Sequence, residues 1–346
     1  MAYQTSKKET EKRVLPTSRG WPRKFSSFLR FQTYRSDKIS VSSVIVALDG
    51  TGDFDNIQAA IDSLPDTGGE VLIKQGTYVL KKQLTLDKSN ITISGNGRSS
   101  IIRVTSDIHC MTISYANQVI LQNLFFYSTA GDWIGLEMLR ISNCTNSIIR
   151  NCFFNAPDCG GISMGSSTLT QTNNQIINNV FEDTGNVSIG VGKETYVIIS
   201  GNIFRGSPAY CISTGASNSL ISGNSFVGTP SVGIYLDGAT YIKILGNVIK
   251  DCSQQAIALT SSASNNIISN NDIGSSNYGV YITTSSDNNL ISNNDIHDNT
   301  FWGIQITSHP TVPDSTSVLG NKLIGNGSGP LDNNGTDTQI GHNITS

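Results

Sequence analysis

The chain has 346 residues, a length that corresponds to one to three globular domains or to one elongated repeat protein. Only 14% of the residues are Asp, Glu, Lys or Arg, against about 25% in an average soluble protein, and glycine occurs 33 times. This composition excludes a protein made of long charged helices, and no stretch is apolar for long enough to span a membrane. The sequence therefore predicts short strands joined by tight turns.

The first 42 residues differ in charge from the rest of the chain. Residues 1–42 contain ten Lys or Arg and three acidic residues, so they carry a net charge of +7, whereas residues 43–346 carry −10. No apolar core of about 7–15 residues is present near the N-terminus, so no secretory signal is expected. Two interpretations remain open, namely a basic arm that contacts a negatively charged partner and a solvated, disordered tail.

The first predicted element is a short amphipathic helix over residues 55–65. Its apolar residues share one face, Asp55 is expected to cap its start, and Pro65 ends it. Strands are predicted next, over residues 70–74 and 77–80. A helix in this place would cover strand edges that otherwise recruit other chains.

A repeat dominates the sequence from residue 119 onward. Each copy has two apolar residues, a small or polar residue, an asparagine, any residue and a large apolar residue, and the copies are 22–28 residues apart. An asparagine at a sharp corner tolerates unusual backbone angles, and stacked amides can form a hydrogen-bonded ladder. The asparagines interpreted in this way are Asn123, Asn151, Asn179, Asn202, Asn224, Asn247, Asn271, Asn294 and Asn321.

A second motif lies about 12–14 residues before most of these asparagines. It is a small residue followed by alternating apolar positions, as in residues 233–237, 279–283 and 303–307. Alternation with period two indicates strands, and a repeating unit with two or three short strands is one coil of a solenoid. The sequence thus predicts an all-β parallel β-helix of about ten coils with an N-terminal capping helix.

The same reading divides the chain into four parts. A basic N-terminal arm is assigned to residues 1–42, and the capping helix with the first coils to residues 43–105. The β-helix proper is assigned to residues 106–325, and residues 326–346 are expected to form a C-terminal tail or a weak last coil.

Several segments near the front of the predicted solenoid carry a family resemblance. They are Asp49-Gly50-Thr51-Gly52-Asp53-Phe54, Ile57-Gln58-Ala59-Ala60-Ile61-Asp62, Gly68-Gly69, Ile73-Lys74-Gln75-Gly76-Thr77-Tyr78 and Ile91-Thr92-Ile93-Ser94-Gly95-Asn96-Gly97. Residues 45–105 resemble the opening of the pectate-lyase-like superfamily, whose fold is a right-handed parallel β-helix. The segment from Asp49 to Ile61 is similar to the start of pectin methylesterases.

The superfamily also includes pectate lyases, polygalacturonases, alginate epimerases and phage tailspike depolymerases. The resemblance therefore implies the fold, with a polysaccharide as the class of ligand. The catalytic sequence blocks of the pectin methylesterases, polygalacturonases and epimerases are not found in this sequence. A particular chemistry does not follow from the fold.

Aligning the coils predicts which side chains point outward from the first strand of each. One outward column is Thr112, Arg140, Ser163, Gly190, Ser213, Tyr235, Ala258, Tyr281 and Gln305. The next is Ser114, Ser142, Gly165, Gly192, Gly215, Asp237, Thr260, Thr283 and Thr307.

Tyr235 and Tyr281 are expected two coils apart, which is about 10 Å or the span of two sugar rings. Trp302, His297 and Asp298 are expected in loops near them. Aromatic rings with a few polar groups suit a glycan, whereas exposed strand tyrosines are the alternative interpretation. The candidate substrate-binding residues are Arg140, Tyr235, Asp237, Tyr281, Trp302 and Gln305.

Catalysis is left open by the sequence. Glycoside hydrolysis needs two carboxylates about 5–10 Å apart, and Asp237 is the single acidic residue of the two columns. A calcium-dependent lyase needs several carboxylates around one cation, and no such cluster aligns. A site built from loop carboxylates remains possible, the candidates being Asp132, Glu137, Asp158, Glu182, Asp183, Asp251 and Asp298.

No cofactor and no metal site are predicted, since the four histidines are scattered and the cysteines show no metal-binding spacing. The six cysteines are interpreted as buried thiols, with a Cys144–Cys152 or Cys152–Cys159 disulfide as the alternative.

The preferred functional hypothesis is a virion- or surface-associated, tailspike-like or decoration protein that binds glycans. In it, residues 1–42 anchor the chain to an assembly or virion protein, the β-helix forms a homotrimer, and no part enters a membrane. The expected location is a virion or an extracellular surface reached without a Sec signal peptide, after a cytoplasmic stage before assembly. The alternatives are a polysaccharide lyase or glycoside hydrolase acting on an acidic polysaccharide, and a structural protein that binds no sugar.

Overall fold

The computed structural model describes the chain in seven ranges, which are residues 42–128, 136–157, 159–165, 172–206, 209–228, 231–308 and 311–345. The segment interpreted as a basic arm, residues 1–42, lies outside these ranges except for Ser42. The carboxylates of Asp132 and Asp158, which were candidates for a loop-built site, also lie outside them.

Within the described ranges the chain is an all-β, right-handed parallel β-helix with three sheets of 13, 12 and 11 strands. Sheet A consists of Ser42–Val46, Gly69–Ile73, Ile91–Ser94, Ile120–Gln122, Ile148–Arg150, Gln175–Ile177, Ile198–Ser200, Leu220–Ser222, Lys243–Leu245, Ile267–Ser269, Leu290–Ser292, Ser317–Leu319 and Gln339–Gly341.

Sheets B and C complete each coil in the order A, B, C along the chain. Sheet B consists of Gly76–Leu80, Ser100–Val104, Phe125–Ser128, Phe153–Asn155, Val180–Glu182, Ile203–Arg205, Ser225–Val227, Val248–Lys250, Asp272–Gly274, Asp295–His297, Lys322–Ile324 and Ile344–Thr345. Sheet C consists of Leu84–Leu86, Met111–Ser114, Glu137–Ser142, Gly160–Met164, Val187–Val191, Tyr210–Thr214, Val232–Asp237, Gln255–Thr260, Tyr278–Ile282, Trp302–Ile306 and Gly329–Asn333.

The described part of the chain therefore makes about twelve coils rather than the predicted ten. The difference arises at both ends. The strand Ser42–Val46 pairs with Gly69–Ile73 at the front, and Gly329–Asn333, Gln339–Gly341 and Ile344–Thr345 extend all three sheets at the back. The front strand lacks the repeated motif, and residues 326–345, which fall in the segment predicted as a tail or a weak last coil, form a coil whose ladder asparagine is Asn343.

The amphipathic helix near the front spans Ile57–Ser63 and packs against strands of sheets A and C. Its cap is Asn56, whose side-chain Oδ1 accepts a 3.0 Å hydrogen bond from the backbone N–H of Ala59, and not the predicted Asp55. The apolar face that the sequence predicted is buried, since Ile57 and Ile61 are each 2% exposed. Burial of this face fixes the helix on the first coils.

The core of the β-helix is a column of stacked side chains. Phe126, Phe154, Phe181, Phe204 and Phe226 occupy one inward position of sheet B in successive coils, and consecutive rings lie 4.7–5.1 Å apart. This separation matches the distance between neighbouring strands, about 4.8 Å. Parallel stacking in register therefore gives each ring a ring as its neighbour and leaves no gap along the axis.

The small residue that opens the second motif has a packing role. A Cβ atom at Gly233 would lie 2.6 Å from the carbonyl oxygen of Ala256 and 2.8 Å from Cγ2 of Ile249 in the core of sheet B. The equivalent positions of other coils, Gly161, Gly279 and Gly303, are equally close to neighbouring atoms. In these coils the position has no room for a larger side chain, whereas the equivalent position of the coil before Gly161 holds the buried Met138.

An asparagine ladder joins sheets A and B, as the repeat predicts. From Asn179 to Asn343, each side-chain Nδ2 donates to Oδ1 of the asparagine in the next coil at 2.9–3.1 Å. Each amide also donates to a backbone carbonyl, as Asn247 does to Ile221 at 3.0 Å. The ladder thus satisfies polar groups that are buried between coils.

Two of the nine predicted ladder residues are assigned to the wrong position. Asn123 and Asn151 lie one residue before the ladder position, which in their coils is Leu124 and Cys152. Both have positive φ, at +56° and +53°. The unusual backbone angle therefore belongs to the residue that precedes the ladder asparagine, which in later coils is Gly, another Asn or, in the last coil, His342.

All six cysteines are buried thiols. Burial raises the pKa of Cys152 to about 12, so this thiol behaves as a small apolar group. None of the helices in the described ranges has both the length and the apolar character needed to cross a bilayer.

Candidate functional site

The outer face of sheet C carries the column of side chains that the sequence alignment predicted. Strand pairing sets Arg140 beside Ser163, and the column continues to Tyr235, Tyr281 and Gln305. The full column in the structure is Thr85, Thr112, Arg140, Ser163, Gly190, Ser213, Tyr235, Ala258, Tyr281, Gln305 and Asp332.

A second outward column, three residues earlier in each strand, was missed by the sequence reasoning. Its members include Glu137, Val187, Tyr210, Gln255, Tyr278 and Trp302. The strand Tyr210–Thr214 shows why, because its second and third residues are both buried and the strict alternation fails. The same order of burial recurs in Tyr278–Ile282 and Trp302–Ile306.

The two columns together bring aromatic rings into contact. The rings of Tyr210 and Tyr235 lie 4.8 Å apart, and the ring of Tyr278 lies 5.7 Å from that of Tyr281 and 5.1 Å from that of Phe301. These five residues form the sheet C aromatic patch. Edge-tilted pairs at such distances stabilise one another and hold the rings in place.

Polar groups border the sheet C aromatic patch. The Thr260 hydroxyl donates to the Tyr235 hydroxyl at 3.0 Å, and Thr260 pairs with Asp237, whose carboxylate is exposed. Gln305 donates through Nε2 to Asp332 at 2.8 Å. The patch thus combines apolar ring faces with oriented hydroxyl, amide and carboxylate groups.

Trp302 begins a strand of sheet C and does not lie in a loop. It pairs with Gly329, where an added Cβ would stand 2.6 Å from Cζ3 of the indole ring. Because Gly329 has no side chain, there is room for the indole ring of Trp302 next to Gly329–Asn333, the last strand of sheet C. This position puts Trp302 in the same outward column as Tyr278, in the neighbouring coil.

Arg140 belongs to a different part of the face. Four strand spacings separate it from Tyr235, a distance of about 19 Å. The intervening residues of its column are Ser163, Gly190 and Ser213. An added Cβ at Gly190 would meet no described atom closer than 3.8 Å, so packing does not require the glycine. The stretch between Arg140 and the aromatic patch is accordingly a floor of small residues.

Arg140 is part of a cluster of three titratable side chains. His109 lies one coil before Glu137, and its Nδ1 is 3.3 Å from Oε2 of Glu137. Its Nε2 is 3.4 Å from Nη1 of Arg140. The pairing of Met111 with Leu139 sets this contact, because the same register extended by two residues aligns His109 with Glu137.

Burial raises the pKa of the Glu137 carboxyl above its ordinary value, and the nearby positive groups of His109 and Arg140 only partly oppose this shift. A carboxyl group with a raised pKa beside a histidine and an arginine is a candidate general acid or base. The sequence reasoning treated Glu137 as a loop carboxylate and His109 as isolated. The signal that would have joined them is their common position in neighbouring coils.

A second carboxylate is not close to Glu137 among the described residues of this face. Asp237 lies four coils away, at least about 19 Å along the axis of the β-helix, which exceeds the spacing that glycosidases use. Glu182 lies on sheet B instead, where it contacts Arg98 at 3.0 Å and Arg205 at 3.4 Å.

His297 and Asp298 are also on a different face from the one expected for them. His297 ends a strand of sheet B, and its two ring nitrogens contact Asp298 at 2.8 Å and Asp272 at 3.0 Å. Lys250 contacts the other oxygen of Asp272 at 3.0 Å. Both imidazole nitrogens are thus engaged, and the group forms a charged clamp across three coils of sheet B.

A search of the described ranges finds no group of three or more His, Cys, Asp or Glu side chains suited to holding a metal ion.

The fold and its outer face define a right-handed parallel β-helix with a long surface of aromatic and polar side chains. Residues 171–296 match the family model of the right handed beta helix region, and residues 43–157 match the pectinesterase model. The two matches support a place for the chain among the pectate-lyase-like right-handed parallel β-helices.

Individual relatives are similar over limited parts of their length. A stretch of 129 residues is 27% identical to pectinesterase 1 of Solanum lycopersicum and spans 32% of this chain and 24% of the relative. A stretch of 130 residues is 28% identical to pectinesterase 2 of Arabidopsis thaliana and spans 33% of this chain and 21% of the relative. The chain thus matches about a quarter or less of these curated relatives.

Solved structures match over most of the chain. The catalytic unit of a GH87 alpha-1,3-glucanase from Streptomyces thermodiastaticus superimposes with a TM-score of 0.64 at 15% identity, covering 83% of this chain and 64% of the glucanase chain. The A-module of a mannuronan C-5 epimerase from Azotobacter vinelandii gives a TM-score of 0.56 at 14% identity, covering 84% and 94%. At this level of identity the likeness establishes the fold.

Proposed function

We propose that the protein binds a polysaccharide chain along the outer face of sheet C. The observation that carries the proposal is the continuous outward surface from Arg140 to Gln305, which extends over seven strand spacings or about 34 Å. A glycan needs apolar faces for its rings and polar groups for its hydroxyls. The aromatic patch, with Thr260, Asp237 and Gln305 beside it, supplies both.

An acidic polysaccharide suits this surface better than a neutral one. Arg140 is exposed at one end of the small-residue floor, and a guanidinium group binds carboxylates through paired hydrogen bonds. Pectinesterases and a mannuronan epimerase are among the similar proteins, as are glucanases. The named ligand class is therefore a polymer of uronic acids, with the aromatic patch and Arg140 as its two contact regions.

A binding assay on the full chain tests this function. Affinity electrophoresis through gels containing polygalacturonate, alginate or a neutral β-glucan should show retardation by the acidic polymers that weakens as salt is added, because ion pairs are screened. Equal mobility in all gels would contradict the proposal. If only the neutral polymer retarded the protein, the proposal of glycan binding would stand, but the role of Arg140 would be refuted.

We further propose that the protein is displayed on a surface and is anchored there by residues 1–42. Residues 1–42 carry a charge of +7 against −10 for the remainder, which suits attachment of the basic segment to an acidic assembly or virion partner. In this proposal the β-helix is presented as a homotrimer on a virion or an extracellular surface. Co-sedimentation with candidate particles and light scattering of full-length and 43–346 chains test it. Equal particle binding by both chains would contradict an anchoring role, and a monomeric mass would contradict the trimer.

A catalytic role in polysaccharide cleavage is the second candidate, and the cluster of Glu137, His109 and Arg140 favours it. A raised pKa at Glu137 suits a general acid, and Arg140 beside it suits the carboxylate of an acidic sugar. Incubation with polygalacturonate and alginate, followed by reducing-end and ultraviolet assays for unsaturated products, tests this role. Binding without release of any product would refute catalysis.

A further inference from the structure

The corner between sheets C and A carries an exposed groove on a surface separate from the outer face of sheet C. Its volume is about 720 Å³. Two parallel columns of four residues form it. One column belongs to the corner and the other to the outward face of sheet A.

The floor of the groove follows the register of sheet A. Ile198 and Leu220 lie side by side in its middle, with Gln175 in the preceding coil and Lys243 in the following one. An apolar centre is thus bounded by an amide at one end and by an exposed ammonium group at the other. Lys243 is the one charged residue among those that line the groove.

The wall of the groove alternates between amide and aromatic side chains. The isolated bridges at the corner align Asn173, Tyr196, Asn218 and Tyr241 in four successive coils. Two coils separate the tyrosines, a distance of about 10 Å, and each of their side chains is 56% exposed. An amide therefore stands between two accessible rings.

The backbone at these tyrosines provides a second, independent observation. Tyr196 and Tyr241 both have φ of +56°, in the left-handed region that disfavours bulky L-residues. Most other coils place Asn or Asp at this corner, as at Asn146, Asn173, Asn218, Asn265, Asn288 and Asp337. Asparagine adopts this conformation with little strain, so the fold alone favours Asn over Tyr. Strained residues of this kind concentrate at functional sites.

We infer that this groove is a second glycan-binding site, which takes a short run of uronic acid residues along the axis of the β-helix. Two sugar rings lie on Tyr196 and Tyr241, the amide of Asn218 bonds a hydroxyl between them, and Lys243 binds a carboxylate. The site is independent of the proposed function of sheet C, because the two surfaces share no residue.

Titration calorimetry with a galacturonate hexamer, and with cellohexaose as the neutral probe, tests the inference. The variants Tyr196→Asn and Tyr241→Asn restore the residue that other coils carry, and each should weaken binding of the acidic hexamer at the groove about tenfold. Their melting temperatures should equal or exceed that of the unmodified protein, since strain is removed. Lys243→Gln should weaken binding of the acidic hexamer and leave that of cellohexaose unchanged.

Tyr115→Asn is the matched control, because Tyr115 has φ of +56° and is 67% exposed but does not line the groove. It should bind both hexamers as the unmodified protein does. All titrations are repeated in a chain that also carries Tyr235→Ala and Tyr281→Ala, so that binding at sheet C is weakened at least tenfold. Acidic binding that persists there and disappears with Tyr196→Asn and Tyr241→Asn supports the groove even if sheet C binds no glycan.

Three results would overturn the inference. The first is no measurable binding of the galacturonate hexamer in the chain that carries the sheet C substitutions. The second is unchanged affinity in the Tyr196→Asn and Tyr241→Asn double variant. The third is a lower melting temperature in that double variant, which would show that the tyrosines serve the fold.

Discussion

Tyr235 and Tyr281 occupy the same outward position of sheet C, two strands apart, and the residue between them, Ala258, is only 2% exposed. Ala258 lies in the outward column between the two rings, so the side chains around it shield its methyl group from solvent. Two aromatic rings with a small residue between them form a shallow saddle. In the proposed function, two consecutive sugar rings lie on this surface.

Removing both rings should abolish this surface without unfolding the protein. We expect the Tyr235→Ala and Tyr281→Ala double variant to bind acidic polysaccharide at least tenfold more weakly, with the change measured by affinity electrophoresis. The matched control is Tyr235→Phe, which loses the hydrogen bond with Thr260 but keeps the ring. Its affinity should stay close to that of the unmodified chain, and equal loss in both variants would assign the effect to the hydroxyl group.

Glu137 should make stability depend on pH in a specific direction. Burial raises its pKa above the ordinary 4.5, so the folded state prefers the protonated carboxyl. The stabilising contribution is complete below pH 4.5 and is lost as pH rises through the folded pKa. We therefore expect Glu137→Gln to gain stability relative to the unmodified chain between acidic and neutral pH, as measured by urea unfolding. A difference that does not change with pH would contradict a raised pKa.

The charged clamp on sheet B should show its own pH dependence. The hydrogen bond with Asp298 raises the pKa of His297, burial opposes the shift, and Asp272 adds to it. Because this folded pKa exceeds the ordinary 6.5, the contribution of His297 is fully present below pH 6.5 and is lost as pH rises through the folded value. The variant His297→Gln should lose this decline, as measured by urea unfolding from mildly acidic to mildly alkaline pH.

Asp272 extends the clamp prediction to acidic pH. Partial burial raises the pKa of Asp272, but hydrogen bonds from Lys250 and His297 outweigh this effect and lower the pKa below 3.8. Its contribution is therefore present above pH 3.8 and is lost as pH falls through the folded value. The control for the acidic range of Asp272 and for the neutral to alkaline range of His297 is His342→Gln, a substitution at an exposed histidine near the C-terminus. An alkaline decline that survives in His297→Gln would show that another group causes it.

The asparagine ladder should dominate local stability. Asn247 donates to Asn271 and Ile221 and accepts from both the backbone and the amide of Asn224, all at 2.9–3.0 Å. Asn247→Ala leaves several buried groups without partners, so we expect a loss of about 2–4 kcal/mol in the free energy of unfolding. Asn186→Ala, at an exposed asparagine, should change it by less than about 0.5 kcal/mol. Similar losses in both variants would refute a special role for the ladder.

The repeat of the sequence identified most of the architecture. Periodic asparagines and small residues followed by alternating apolar residues predicted the parallel β-helix, the ladder from Asn179 to Asn321 and the outward column from Thr112 to Gln305. Each coil repeats the same local environment, so the pattern survives in the sequence. The prediction shifted by one residue at Asn123 and Asn151, because Leu124 and Cys152 take the ladder position there.

The candidate site was less predictable than the fold. Tyr210 and Tyr278 were missed because the second and third residues of their strands are both buried, so the period-two rule fails there. Trp302, expected in a loop, proved to be the first residue of a strand, and His297 proved to lie on sheet B. These errors arise where tertiary packing against the core overrides the local alternation.

The sequence determines the fold because a β-helix is stabilised by contacts between equivalent positions of neighbouring coils, and equivalent positions recur at regular spacing. Contacts between non-equivalent positions of neighbouring coils do not recur along the chain, so they leave no periodic pattern in the sequence. The cluster of His109, Glu137 and Arg140 and the groove between Tyr196 and Tyr241 depend on coil lengths and on backbone angles at the corners. Those quantities are set when the coils stack, so the structure was needed to bring these residues together.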